Sequence, residues 1–157
     1  MPLIPRLVKP GDGRKLIVVG DTYTLLASGD DTDGAFALFH AIVPPGHGSP
    51  PHIHTREDEM FYILDGQMTF MVDGKELIAS TGAYVFGPRN IKHNFVNRSG
   101  KPVSMLFQAT PAGIEDFFAQ VSQSPQDAAR PPTPQYLKIL VEKARDFGMI
   151  IDVPPAH

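Results

Sequence analysis

The chain has 157 residues, with 14 Lys and Arg against 17 Asp and Glu and a formal charge of −3, a size that fits one domain spanning residues 1–157. Cys is absent, which excludes disulfide frameworks, thiolate metal sites and cysteine nucleophiles, so any metal must be held by imidazole and carboxylate. The mild acidity argues against a nucleic-acid partner. No apolar stretch reaches the roughly 20 residues of a membrane span, and the start, Met1-Pro2-Leu3-Ile4-Pro5-Arg6, lacks the apolar region of a secretory signal; the cytoplasm is the expected location.

The 14 Gly and 16 Pro residues exceed the roughly 12% of average usage, while 42% hydrophobic residues supply too much core for disorder. Many short strands separated by turns are the expectation. Apolar or alternating runs at 15–20, 23–27, 35–43, 60–64, 67–72, 75–79, 83–86, 92–96 and 103–109 predict those strands. Asp73-Gly74 is the strongest turn, since that pair takes the positive φ values of a two-residue hairpin loop; Asp65-Gly66 and Ser99-Gly100 act similarly.

After Thr110 the period changes. Ile114, Phe117, Phe118 and Val121 lie on one helical face, with Thr110 and Pro111 as its expected start. A Pro-rich linker follows, and a second helix is expected over 135–147, with Leu137, Leu140, Val141 and Ala144 on one stripe and Gly148 as its stop. The expected architecture is all-β, an antiparallel barrel over about 14–110, with two helices in the extension 111–157 packed outside it or against a second subunit. Residues 35–43 are apolar on both parities and need cover on both faces, so a homodimer is expected.

Six histidines occur, and three share a pattern. His52 and His54, at i and i+2 of an extended segment, point to the same face and are spaced to converge on one ion. Glu59 follows at the start of an apolar strand, where a carboxylate is otherwise unwelcome, and alternation puts it on one face with Phe61 and Ile63. His93 lies in another β segment. Three His and one Glu would fill four positions of a six-coordinate metal and leave two open for chemistry.

Gly46, His52, His54, Glu59 and Gly66 stand as G-x5-H-x-H-x4-E-x6-G, and Gly82, Pro88, Asn90, His93 and Asn97 as G-x5-P-x-N-x2-H-x3-N. These residues resemble the two signature motifs of the cupin superfamily. The one departure is Asn90, where the family has Gly; Asn tolerates the left-handed backbone that such a turn needs. The resemblance implies a jelly-roll β-barrel with a divalent transition metal (iron, manganese, nickel, cobalt, copper or zinc) held by His52, His54, Glu59 and His93. Glu57 and Asp58 compete for the carboxylate position, but motif spacing favours Glu59, and alternation turns Asp58 away. His40 and His47 are weaker candidates, and Asn97 shares parity with His93.

More narrowly, residues 50–66 and the tail from Thr110 through Phe147-Gly148-Met149-Ile150-Ile151 are similar to the single-domain, quercetin 2,3-dioxygenase-like cupins of bacteria. That likeness implies a ring-cleaving dioxygenase acting on a flavonol or related enolic aromatic. Dioxygen would be the co-substrate, and the ligating carboxylate Glu59 would take the substrate's hydroxyl proton. Phe61, Ile63, Phe86 and Phe95 are the expected substrate-binding wall. The same ligand set would also serve an isomerase, decarboxylase, cyclase or lyase, and a small-molecule binding protein is the further alternative.

Overall fold

The computed structural model describes residues 2–153. The strands are β1 (Arg14–Val18), β2 (Asp21–Ala27), β3 (Ala37–Val43), β4 (His52–His54), β5 (Asp58–Asp65), β6 (Gln67–Val72), β7 (Lys75–Ser80), β8 (Tyr84–Gly87), β9 (His93–Val96), β10 (Val103–Thr110) and β11 (Met149–Ile151). The helices are α1 (Gly29–Thr32), α2 (Ile114–Val121), α3 (Pro125–Ala128) and α4 (Pro134–Asp146). Among the described residues, no helix is long and apolar enough to cross a membrane.

The ladders among the described residues are antiparallel and assemble a jelly roll as two sheets, ordered β1-β2-β3-β10-β5-β8 and β11-β4-β9-β6-β7. The expected barrel is therefore not closed by hydrogen bonds; the two sheets meet through side chains. Alternation in the sequence becomes alternation in burial. Ala37, Phe39, Ala41 and Val43 of β3 point inward with no exposure, as do Val103, Met105 and Ala109 of β10. The register sets Phe107 opposite Phe39 on one side and Phe61 on the other, so three aromatic rings line up across the sheet. Phe39 and Phe107 stack with centroids 5.4 Å apart, and Phe61 and Phe107 at 5.3 Å.

The expected double cover of 35–43 is not met within the chain: Leu38 and His40 are half-buried and Ile42 is 42% exposed on the outer face. The first long helix begins later than expected, capped by Gly113 rather than started at Thr110-Pro111. The second begins at Pro134 behind the cap Thr133, whose hydroxyl accepts from the Tyr136 N–H at 3.1 Å. Two short helices, α1 and α3, and two short strands, β4 and β11, had no periodic signal because each is only three or four residues long.

Phe39 is fully buried and touches Tyr23, Phe107 and Phe118. Phe39→Ala is expected to cost about 3–5 kcal/mol, read as a lowered denaturant midpoint with unchanged slope.

Candidate metal centre

Three of the four candidate ligands come from one sheet and the fourth from the other. His52 and His54 alternate on β4, both buried with Ile53 between them less so. The ladder from β4 to β9 places His93 directly opposite His52. Glu59 enters from β5 across the gap between the sheets. One ligand atom from each of the four residues lies within 4.8 Å of all the others.

The outer ring nitrogens of all three histidines are engaged. Nδ1 of His52 lies 2.8 Å from the Pro50 carbonyl, Nδ1 of His93 3.2 Å from the Ile91 carbonyl, and Nδ1 of His54 3.2 Å from Oε2 of Glu57. Each acceptor favours a proton on Nδ1, leaving the Nε2 lone pair directed inward. There Nε2 of His54 is 2.8 Å from Glu59 Oε1, and Nε2 of His93 and His52 are 2.5 and 3.9 Å from Glu59 Oε2. Nε2 of His54 is buried without a hydrogen bond of acceptable geometry. Inward nitrogen lone pairs, an ionised carboxylate and an orphaned buried nitrogen are the donor set that a divalent transition ion requires.

The electrostatics agree on direction. Burial opposes ionisation of Glu59, but His54, His52 and His93 outweigh it and hold the carboxyl well below its usual range. Burial likewise opposes charge on His54, yet the Glu59 and Glu57 carboxylates overcome it and raise the imidazole to about 10. Desolvation lowers His52. Without an ion, then, a proton on His54 balances the buried Glu59.

Glu57 therefore has a role distinct from Glu59: it accepts from the far side of His54 and fixes its ring. Asp58 points outward to Arg89, with Oδ2 3.0 Å from Nη2, as alternation requires. Asn90 takes φ 65°, the left-handed value expected where the motif has Gly, and its N–H donates to the His54 carbonyl at 2.7 Å. Asn97 braces a turn, donating from Nδ2 to the Val43 and Lys101 carbonyls. His40 faces outward against Ser104, its Nε2 2.6 Å from the hydroxyl.

A cavity of about 60 Å³ opens beside the cluster and is lined by His52, His54 and Glu59. Of the four expected wall residues, Phe61 and Phe95 line it. Ile63 is wholly buried in the core and does not reach the cavity. Phe86 is corrected outright: it is 47% exposed, because Val85 and Gly87 hold the inward parity of β8. The remaining wall comes from residues that strand parity near the motifs did not reach: Tyr23 and Phe107 from the sheet, Phe117 and Phe118 from α2, Leu140 from α4 and Met149 from β11. Asp21 lines it too.

A jelly roll with three histidines and a glutamate converging between its sheets fits the fold and ligand set that the motifs imply, and residues 39–108 match the family described as Cupin domain. The chain is similar to the Quercetin 2,3-dioxygenase of Bacillus subtilis (strain 168), with 27% identity over 135 residues, covering 86% of this chain but only 40% of that protein's length. It is also similar to the Tetracenomycin polyketide synthase protein TcmJ of Streptomyces glaucescens, 27% identical over 115 residues, covering 72% of this chain and 77% of that protein. In fold, it resembles a predicted oxalate decarboxylase from Thermotoga maritima (TM-score 0.61, 21% identity, 68% of this chain and 99% of that one). KdgF from Halomonas sp. is a further fold neighbour (TM-score 0.62, 16% identity, 72% of this chain and 99% of that one).

Because His54 must lose its proton to bind an ion, zinc uptake is expected to release one proton. Apparent affinity should then rise about tenfold per pH unit from neutrality until the pH nears the His54 value of about 10. Calorimetry in buffers of different ionisation enthalpy checks this. Glu57→Ala should weaken zinc affinity about 10–100-fold, measured by chelator competition.

Proposed function

We propose that this protein is a metal-dependent cupin dioxygenase that opens the ring of a flavonol or related enolic aromatic in the cytoplasm. The observation that carries the reading is the inward-facing set of His52, His54, Glu59 and His93 at the end of an aromatic cavity. The similarity to the Bacillus subtilis Quercetin 2,3-dioxygenase supports the substrate class.

In this reading His52, His54, Glu59 and His93 hold one redox-capable divalent ion, among iron, manganese, nickel, cobalt and copper. When bound, it supplies Lewis acidity toward an enolic oxygen and a route for electrons to dioxygen. The chain's residues do the rest. Glu59, kept ionised by the imidazoles, accepts the proton of the substrate's hydroxyl at its carboxylate. Phe61, Phe95 and Phe107 hold the planar ring, and Ile114, Phe117, Phe118 and Leu140 close the chamber against water.

The size of the chamber favours a second reading. About 60 Å³ is room for only a few waters. A three-ring flavonol would need α2 and α4 to move outward, whereas a smaller carbonyl or enol fits with less displacement. A metal-dependent isomerase, decarboxylase, cyclase or lyase would use the same ligands, with zinc sufficient, and the similarity to TcmJ over most of that protein's length supports it.

Oxygen uptake after anaerobic metal reconstitution separates the readings. Consumption with 3-hydroxyflavone is expected for at least one redox metal; none with any of them overturns the dioxygenase. Glu59→Gln is expected to lower turnover about 10²–10⁴-fold with ion content retained by the three histidines.

A homodimer belongs to the same proposal. The outer face of the six-stranded sheet exposes Ile42, Tyr62, Tyr84 and Phe86, at 42–59% of their surface. Pairing through it would bury about 800 Å² per copy. Light scattering should then give twice the 17.2 kDa chain mass, and Tyr84→Lys with Phe86→Lys should halve it; a wild-type monomer overturns the pairing.

A further inference from the structure

Besides Glu59, one carboxyl group lines the cavity, and it does not belong to the candidate ligand cluster. Asp21 begins β2, is 1% exposed and lines the same cavity as Glu59, which lies three strands away in the six-stranded sheet. Its Oδ1 has no hydrogen-bond partner among the described residues. Buried polar atoms are so rarely left unpaired that an orphan on a residue lining a cavity calls for a ligand or a use. Burial pushes its carboxyl well above the usual range, favouring the neutral acid.

The chain holds Asp21 there at a local cost. The preceding hairpin loop puts Val19 at φ 51°, an unfavourable left-handed conformation for a β-branched residue. The loop is tied down from outside, with the Val19 N–H donating to Tyr136 Oη at 3.3 Å and the Gly20 N–H to Gln123 Oε1 at 3.0 Å. Beside Asp21 stands His47, with a side chain 38% exposed and Nδ1 3.8 Å from Oδ1. Glycine at 20 makes that placement possible, because a Cβ there would lie 2.5 Å from the imidazole. The other side of His47 faces an outer groove that it shares with Gly46, Gln123 and Arg130. An imidazole thus stands between solvent and an acid that lines the buried chamber, one bridging water or a small rotamer change from contact. The titratable groups facing Asp21 are His47, Tyr23 on its own strand and Tyr136 on α4. None provides the fixed positive charge that Arg89 gives Asp58.

Resting on the reading of this cavity as the reaction chamber, we propose that Asp21 is its second proton-handling group, a carboxylic acid that donates to an oxygen of the bound ligand and is recharged from solvent through His47. The Asp21 O–H bond breaks as the ligand's O–H bond forms, leaving a carboxylate. Protonated His47 then passes its Nδ1 proton to that carboxylate and takes another from water in the outer groove. The ligand class follows: an aromatic with an ionisable hydroxyl for the histidine end, where Glu59 takes a proton, and a carbonyl or second hydroxyl oxygen toward Asp21.

Infrared spectroscopy of the zinc-loaded protein tests this, with wild type, Asp21→Asn and His47→Gln compared alone and with 3-hydroxyflavone in the absence of oxygen. A protonated-carboxyl band that Asp21→Asn removes is expected, shifted when 3-hydroxyflavone binds. Its hydrogen–deuterium exchange should slow at least about tenfold in His47→Gln. The folded wild type keeps a proton that the unfolded chain loses above its ordinary carboxyl value, so its stability falls as pH rises. The unfolding temperature of Asp21→Asn should therefore gain on wild type as pH climbs from about 4. A carboxyl band unchanged by Asp21→Asn, or unmoved by bound 3-hydroxyflavone, overturns the proposal. Failure of 3-hydroxyflavone to bind sinks the flavonol reading instead. The exchange rate then decides the pair by itself, and equal rates in His47→Gln and wild type overturn it.

Discussion

The contact between Glu59 and three imidazoles is the constraint around which the rest of the molecule is arranged. Glu59 belongs to the six-stranded sheet, and His52, His54 and His93 to the five-stranded one. Among the described residues no ladder joins the two sheets, so this buried cluster and the aromatic core are what set them face to face. A carboxylate taken out of water this completely is costly unless it is paired and hydrogen-bonded. In the ion-free state the proton on His54 provides the pairing; a divalent cation would provide it with more charge and with every Nε2 lone pair used. Ion binding and the mutual seating of the sheets are therefore one equilibrium.

The same constraint explains the C-terminal extension. β4 has only three residues, and two of them are candidate ligands. So short a strand needs neighbours on both edges. β9 supplies one, through the His52–His93 pair, and β11 the other, setting Met149 opposite His54 and Ile151 opposite His52. The Thr55 N–H donates to the Gly148 carbonyl at 3.0 Å, tying the end of β4 to the turn after α4. The helices are thus part of the centre: α4 delivers the strand that braces the ligands, and α2 and α4 supply the apolar side chains that close the cavity.

What could be read beforehand was what has a short-range cause. Two-residue alternation sets the inward direction of Glu59 and Phe61 and the outward direction of Asp58, and motif spacing singles out the four ligand candidates. Asn90 was legible because few side chains accept its backbone conformation. Phe86 was misplaced because the run from Ala83 to Phe86 is apolar on both parities and gives no direction of its own; the ladder to β5, where Phe86 pairs with Met60, sets its parity. β11 and the helical half of the cavity wall were invisible for a different reason. Three apolar residues after a helix carry no period, and which side of α2 meets the cavity depends on the tertiary position of the sheet below it. Glu57 was visible as a competitor to Glu59, but its contact with the back of His54 depends on how the turn after β4 folds.

The two carboxyl groups lining the cavity show how one side-chain type is driven to opposite states by its surroundings. Both are almost fully buried, so desolvation pushes both toward the neutral acid. At Glu59, imidazoles within 2.5–3.9 Å reverse that push and keep the group ionised. At Asp21, the nearest cationic candidate is a half-exposed imidazole at 3.8 Å, and nothing offsets the burial. Pairs of groups whose environments drive their protonation apart are how an enzyme keeps an acid and a base in one chamber at one pH. The aromatic walls between them matter for that division: they add no charge of their own, admit little water to equalise the two ends, and leave proton entry to the one side of the cavity where an imidazole reaches the surface.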